Sequence, residues 1–243
     1  MFALYKKELA TYFHSLIAYL VIVVFLIIIS LFLWVFPTEY NVLNFGYANL
    51  DSFFLITPIV FLFLIPAISM RLFAEEKKSG TIELLFTRPL SEIEIIAAKY
   101  LAGFSLILIA LLPTIIYVFT VYRYSFPISN IDLGVIWGSY LGLLLLAAAF
   151  LAVGIFASSL TDNQIVAFLI SVSISAFAYL GFEIIYSLDL FGQFDLFVKT
   201  LGIQAHYSSM RRGVIDLRDL IYFLSISAMF LLFTHTILTK RKW

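Results

Sequence analysis

Few residues in this chain have the types and spacing that chemistry needs. Its three histidines, His14, His206 and His235, lie far apart, and there is no cysteine. Nothing has metal-ligand spacing, so no metal is expected. The absence of cysteine removes disulfide and thiol chemistry. Lys199-Thr200 ends in the manner of a phosphate-binding loop, but Val198 stands where glycine is required and no glycine-rich turn precedes it. ATP chemistry in this chain is therefore not expected, and neither is a cofactor. Glu183 is the one ionisable residue well inside an apolar stretch. It is a functional-site candidate by default, although it lies about one turn from the end of that stretch, from which a carboxylate snorkels to the interface.

The densest chemistry is the run Phe73–Lys99, F-A-E-E-K-K-S-G-T-I-E-L-L-F-T-R-P-L-S-E-I-E-I-I-A-A-K. It holds nine of the thirty Lys, Arg, Asp and Glu residues and lies between two long apolar segments. Charge this concentrated is excluded from hydrocarbon. The run is therefore a water-facing loop between membrane spans. Gly80 is placed to end a helix that continues from the preceding span through Lys78. Thr81 is expected to cap a short helix over residues 82–87, which must stop before Pro89. Ser91 with Glu94 forms a capping box that opens the next helix, and Leu90 with Ile95 a hydrophobic staple. Ile82, Leu84, Leu85 and Phe86 are then apolar residues on a helix held outside the membrane, and they require a protein surface to cover them.

The elements that position this loop follow from composition. The chain of 243 residues is 63% hydrophobic and 12% charged. Soluble domains carry about 45–50% apolar and about 25% charged residues, so this is an integral membrane protein. Six segments reach the roughly 20 apolar residues needed to span: approximately residues 16–36, 53–70, 97–121, 137–158, 164–186 and 220–238. Short alternating segments typical of barrels are missing, so the expected fold is one all-α membrane domain, 1–243. A formal net charge of zero gives no sign of a nucleic-acid partner.

The first span is too long for the apolar core of a cleaved signal peptide and has no small-residue cleavage site after it, so it is expected to be retained. With six spans, both termini share a side with Lys6, Lys7, Arg71, Lys77, Lys78, Arg88, Lys99, Lys240, Arg241 and Lys242. The other side has Arg123, Lys199, Arg211, Arg212 and Arg218. The positive-inside rule makes both termini and the Phe73–Lys99 loop cytoplasmic.

Ahead of the first span, Phe2, Tyr5, Leu9, Tyr12, Phe13 and Leu16 have helical spacing, with Lys6, Lys7, Glu8, Thr11 and His14 on other faces. That predicts an amphipathic helix in the headgroup plane. On the outer side, Leu190, Phe194, Phe197 and Leu201 form a stripe, and Asp195 and Lys199 an i,i+4 pair. A re-entrant or interfacial helix is predicted there, and Ser209–Gly213 reads as a polar break. Gly138 and Gly142 make a small-xxx-small pattern that permits close helix packing, within the bundle or at a dimer seam. Pro58, Pro66 and Pro113 favour kinks, which serve gating or are simply packed bends.

The interfacial helix, the six spans and the pattern acidic-Lys-x-x-Gly-Thr-x-Glu-x-Leu-x-x-x-Pro-x-Ser followed by a lysine resemble the ABC-2 type permease family. Within it, the segment Ser208–Phe223 is similar to the permease subunits of the gliding-motility ABC transporters of Bacteroidota. The resemblance implies a dimer of permeases in the bacterial inner membrane, with two cytoplasmic ATPase subunits beneath. It also implies that Glu75, Glu76, Gly80, Thr81, Glu83, Leu84, Pro89 and Ser91, with Leu85 beside them, belong to the coupling element. The added charge at Glu92 and Glu94 is expected to face the ATPase. The competing readings are a secondary transporter, a membrane enzyme and a membrane scaffold. Missing intramembrane ion-binding groups, the absence of a visible inverted repeat and the lack of a nucleophile–base or metal constellation disfavour the first two.

Overall fold

The computed structural model describes residues 1–44, 49–87, 89–126, 130–189 and 192–240. Among them the chain is helical throughout, with six helical segments long and apolar enough to cross a membrane: Leu16–Val35, Asp51–Lys78, Glu92–Tyr124, Leu133–Leu160, Gln164–Ser187 and Leu217–Lys240. These are the six segments expected from the sequence. Arg88, Leu190, Arg241, Lys242 and the side chain of Phe86 lie outside the described residues.

Helix α1 (Phe2–His14) ends where Ser15 turns to an extended backbone, and α2 (Leu16–Ser30) begins at once. Its buried face is Leu4, Glu8 and Tyr12. Placing Glu8 on an outer face is thereby corrected: the i,i+4,i+8 stripe turns inward because Glu8 finds a cation there. Span 1 closes in a π-helical turn, Leu31–Val35.

Span 2 comprises α3 (Asp51–Ser69) and α4 (Arg71–Lys78). Pro58 and Pro66 both sit within α3, which runs through them unbroken. Proline at 58 has no N–H for the carbonyl of Phe54, and the Tyr207 hydroxyl donates to that oxygen instead, at 2.6 Å. Neighbouring groups re-satisfying a freed carbonyl is what allows proline inside a span. After the short α5 (Thr81–Phe86), span 3 runs through α6 (Glu92–Leu111), a 3₁₀ turn at Leu112–Thr114 around Pro113, and α7 (Ile115–Tyr124). Here the proline does change the helix. Span 4 is α8 (Leu133–Leu160); span 5 is α9 (Gln164–Ala176), a π turn and α10 (Phe182–Ser187).

The connection between spans 5 and 6 holds α11 (Asp195–Leu201) and α12 (Ile203–Arg211) before α13 (Leu217–Lys240) forms span 6. The polar break read at Ser209–Gly213 is corrected, since Ser209–Arg211 belong to α12. Ile203, Tyr207 and Met210 are buried, and α12 packs on α8. Phe194, just before α11, and Leu196, Phe197 and Leu201 on it are exposed, so the described part of the apolar stripe lies uncovered by the chain itself.

Spans 2 and 4 form the centre, while spans 1, 5 and 6 leave most of their apolar surface uncovered. Close packing of α3, α8 and α9 depends on Gly154, where a Cβ would come within 1.9 Å of Ser69 Oγ. Gly142 faces Met210 and Gly138 faces the backbone of Gly213, each about 3 Å from where a Cβ would sit.

Candidate functional site

The Phe73–Lys99 loop folds into a stalk, a short helix and a return. Its stalk is α4, fixed to the end of α8 by an inserted hydroxyl. Ser158 Oγ accepts from the N–H groups of Phe73 and Ala74, both at 3.0 Å, and donates to the Met70 carbonyl at 2.9 Å. It thus stands inside the Ala74-to-Met70 helical bond. The Lys77 ammonium donates to the Ser159 carbonyl beside it. Gly80 takes φ +71° and its N–H returns to Lys77 O, which ends the stalk in a conformation open to glycine. Thr81 does not cap α5 but is its first residue, with its hydroxyl 2.8 Å from that of Ser79. The predicted threonine cap is corrected because Gly80 occupies the capping position. Ser91 and Glu94 form the expected capping box: Glu94 N–H donates to Ser91 Oγ, and Ser91 N–H to the Glu94 carboxylate.

Helix α5 divides its apolar residues between two surfaces. Ile82 and Leu85 are buried within the chain, at 8% and 7% exposure, whereas Leu84 is 66% exposed. The protein surface these residues require is supplied for Ile82 and Leu85 by the chain itself, while Leu84 is left uncovered. An opening of about 420 Å³ beside α5 is lined by Met1, Leu4, Leu84, Leu85 and Leu90, among others. Thr81, Glu83, Pro89 and Ser91 are exposed.

Charged residues of the loop are mostly engaged within the chain. Glu75 receives both Arg71 Nε (2.8 Å) and Arg71 Nη2 (3.0 Å). Glu76 faces inward and pairs with Lys99 at 2.9 Å, while Glu8 pairs with the same ammonium at 3.4 Å. Lys7 bridges the two carboxylates, 3.2 Å from Glu8 and 3.7 Å from Glu76. Lys99 is 1% exposed and lies 5.2 Å from the centre of the Phe73 ring. A buried ammonium is tolerated when paired in this way. Tyr12, next to the cluster, donates to the Ile68 carbonyl at 3.1 Å. Burial, reinforced by the Glu8 charge, pushes its phenol well above the ordinary range against the opposing pull of Arg71, so it remains a donor. Glu92 is bound by Thr239 (2.7 Å) and His235 (3.5 Å) of α13, and Glu94 is used by the cap. Glu92 is thereby drawn to α13, whereas Glu94, 43% exposed, stays at the surface of the loop.

Between spans 5 and 6, Lys199 pairs with Glu183 at 3.1 Å and lies over the Tyr186 ring. This corrects the expected Asp195–Lys199 pair: Asp195 is buried, and Lys199 reaches across to span 5. His206 contacts Asp219 at 2.6 Å and the Thr200 carbonyl at 2.9 Å, stacked on Tyr222. Among the described residues no group of three His, Cys, Asp or Glu side chains could hold a metal ion.

The buried Lys99 cluster, the Ser158 insertion and α12 were not anticipated. A single lysine one turn into an apolar run, the Leu4/Glu8/Tyr12 spacing and the Ile203/Tyr207/Met210 spacing were the available signals.

A helical bundle of six apolar spans with a structured loop between spans 2 and 3 defines a multi-pass membrane protein. Residues 2–239 match the family model described as "ABC-2 family transporter protein", and the chain belongs to that family. It is a membrane-spanning component of an ABC transporter. No curated protein matches the sequence.

Proposed function

We propose that this chain is the permease subunit of an ATP-driven ABC-2 exporter in the bacterial inner membrane, with both termini in the cytoplasm. ATP hydrolysis resides in a separate cytoplasmic ATPase subunit, because the chain carries no nucleotide-binding motif. Helix α5 is the coupling helix, and the residues it offers to the ATPase are Thr81, Glu83 and Leu84, flanked by Gly80, Pro89 and Ser91. Glu76 and Leu85 serve the element from within, by holding it, and Glu75 braces α4 through Arg71. The observation that carries this reading is Leu84: a leucine two-thirds exposed, on a helix that two local stop signals and a capping box hold outside the spans. The uncovered apolar faces of spans 1, 5 and 6 leave room for a second permease copy.

The Ser208–Phe223 segment supports placement in a gliding-motility system. It forms the end of α12, the Gly213 turn at φ +80° and the start of α13. Few polar groups line the spans, which favours a lipid-like or polypeptide cargo, or mechanical signalling without cargo. The test is purification of the intact complex from native membrane through a photo-crosslinking residue at position 84. Recovery of an ATPase crosslinked there supports the proposal; a complex without any ATPase overturns it.

A further inference from the structure

The Lys99 cluster joins three elements that are separate in the chain. Helix α1 supplies Lys7 and Glu8, α4 supplies Glu76, and α6 supplies Lys99. Apolar contacts alone let helices slide past one another, since they are non-directional. An ammonium sealed from water between two carboxylates is different. If α1 or α4 shifted relative to α6, buried charge would be left without a partner. Other directional bonds repeat the linkage on both sides of the cluster. Tyr5 of α1 meets Ser105 of α6 at 2.9 Å, and Tyr12 of α1 donates to Ile68 at the end of α3. The assembly continues into α8 through Ser158.

Both ends of this assembly are short. Helix α4 passes to α5 through Ser79 and Gly80, and α1 passes to span 1 through Ser15 alone. A displacement applied at α5 therefore has little slack before it reaches α2. We propose that Lys99, Glu8 and Glu76 are positioning residues that lock α1, α4 and the start of α6 into one rigid lever, which delivers a load taken up at α5 to the interfacial helix and through it to span 1. The use of the lever rests on the reading of α5 as coupling helix, but its rigidity belongs to the permease alone.

That separation sets the test. Cysteines replace Lys6 and Leu84, both exposed, in this cysteine-free chain, and carry spin labels for distance measurement in lipid vesicles. A second pair at Ile165 and Leu232, on spans 5 and 6, reports the rest of the bundle. The Lys6–Leu84 distance is expected to be narrowly distributed, to broaden in Lys99→Gln and Glu8→Gln, and to narrow again in Lys99→Arg. The Ile165–Leu232 distance should stay as in the parent. If Lys99→Gln accumulates poorly, Glu8→Gln, which leaves the Lys99–Glu76 pair in place, carries the comparison with the parent alone. A Lys6–Leu84 distribution indifferent to both single substitutions overturns the proposal. So does simultaneous broadening of both label pairs, which would reduce Lys99 to general fold stability. A narrow, Lys99-dependent distribution in a permease that binds no ATPase would leave the lever standing and remove the coupling reading.

Discussion

Adjacent leucines on α5 should respond in opposite ways to the same truncation. Leu85 is 7% exposed and packs within the permease, whereas Leu84 is 66% exposed. Truncating a buried leucine to alanine costs about 2–5 kcal/mol, so Leu85→Ala should lower permease abundance and thermal stability in detergent. Leu84→Ala touches no core and should change permease stability by no more than about 0.5 kcal/mol. Its effect belongs to docking. Full burial of a leucine side chain is worth roughly 1.5–3 kcal/mol. Covering the two-thirds that is free corresponds to about 1–2 kcal/mol, or a roughly 5- to 30-fold rise in Kd for the ATPase. The assay measures two quantities on one preparation: the thermal midpoint of the purified permease, and ATPase retained across a titration. A Leu84→Ala permease of parental stability that binds the ATPase with parental affinity would refute the docking argument. Equal destabilisation by the two substitutions would refute the division of α5 into an inner and an outer face.

Ser158→Ala removes the acceptor for the Phe73 and Ala74 N–H groups, and at about 1–3 kcal/mol per unsatisfied buried group should speed amide exchange in α4 more than elsewhere. Gly154→Ala drives a Cβ into Ser69 and should cost about 1–3 kcal/mol by overpacking, read as a lower thermal midpoint and partly relieved by Ser69→Gly. The Glu183–Lys199 pair is about one-third exposed on each side, so a double-mutant cycle should give a coupling of no more than about 1 kcal/mol. Cysteine at Lys78 should react with an impermeant thiol reagent only after spheroplasts are opened, and cysteine at Arg212 before; the reverse order would invert the topology.

Where a property depends on neighbours along the chain, the residues themselves were sufficient. The capping box at Ser91 and Glu94, the stop at Gly80 and the limit at Pro89 act within a turn or two. The spans were legible for the same reason: hydrocarbon demands an unbroken apolar run, and such a run is visible in one dimension.

Facing is another matter. Helix α5 is six residues long and mostly apolar, so no periodicity distinguishes Leu85 from Leu84; only the way the folded chain covers one and not the other does. Glu8 sits among lysines on an amphipathic helix and reads as solvated, until the fold brings Lys99 from ninety-one positions away. Glu76 stands one residue from Glu75, yet one carboxylate turns in to Lys99 and the other out to Arg71. Asp195 is well spaced for Lys199, but span 5 offers Glu183 instead. Sequence determined six segments long and apolar enough to cross a membrane and a capped loop between the second and third, because span length and capping are settled by local composition. Tertiary structure decided which charges became joints and which leucine stayed free, because pairing across helices depends on which faces the packed bundle brings together.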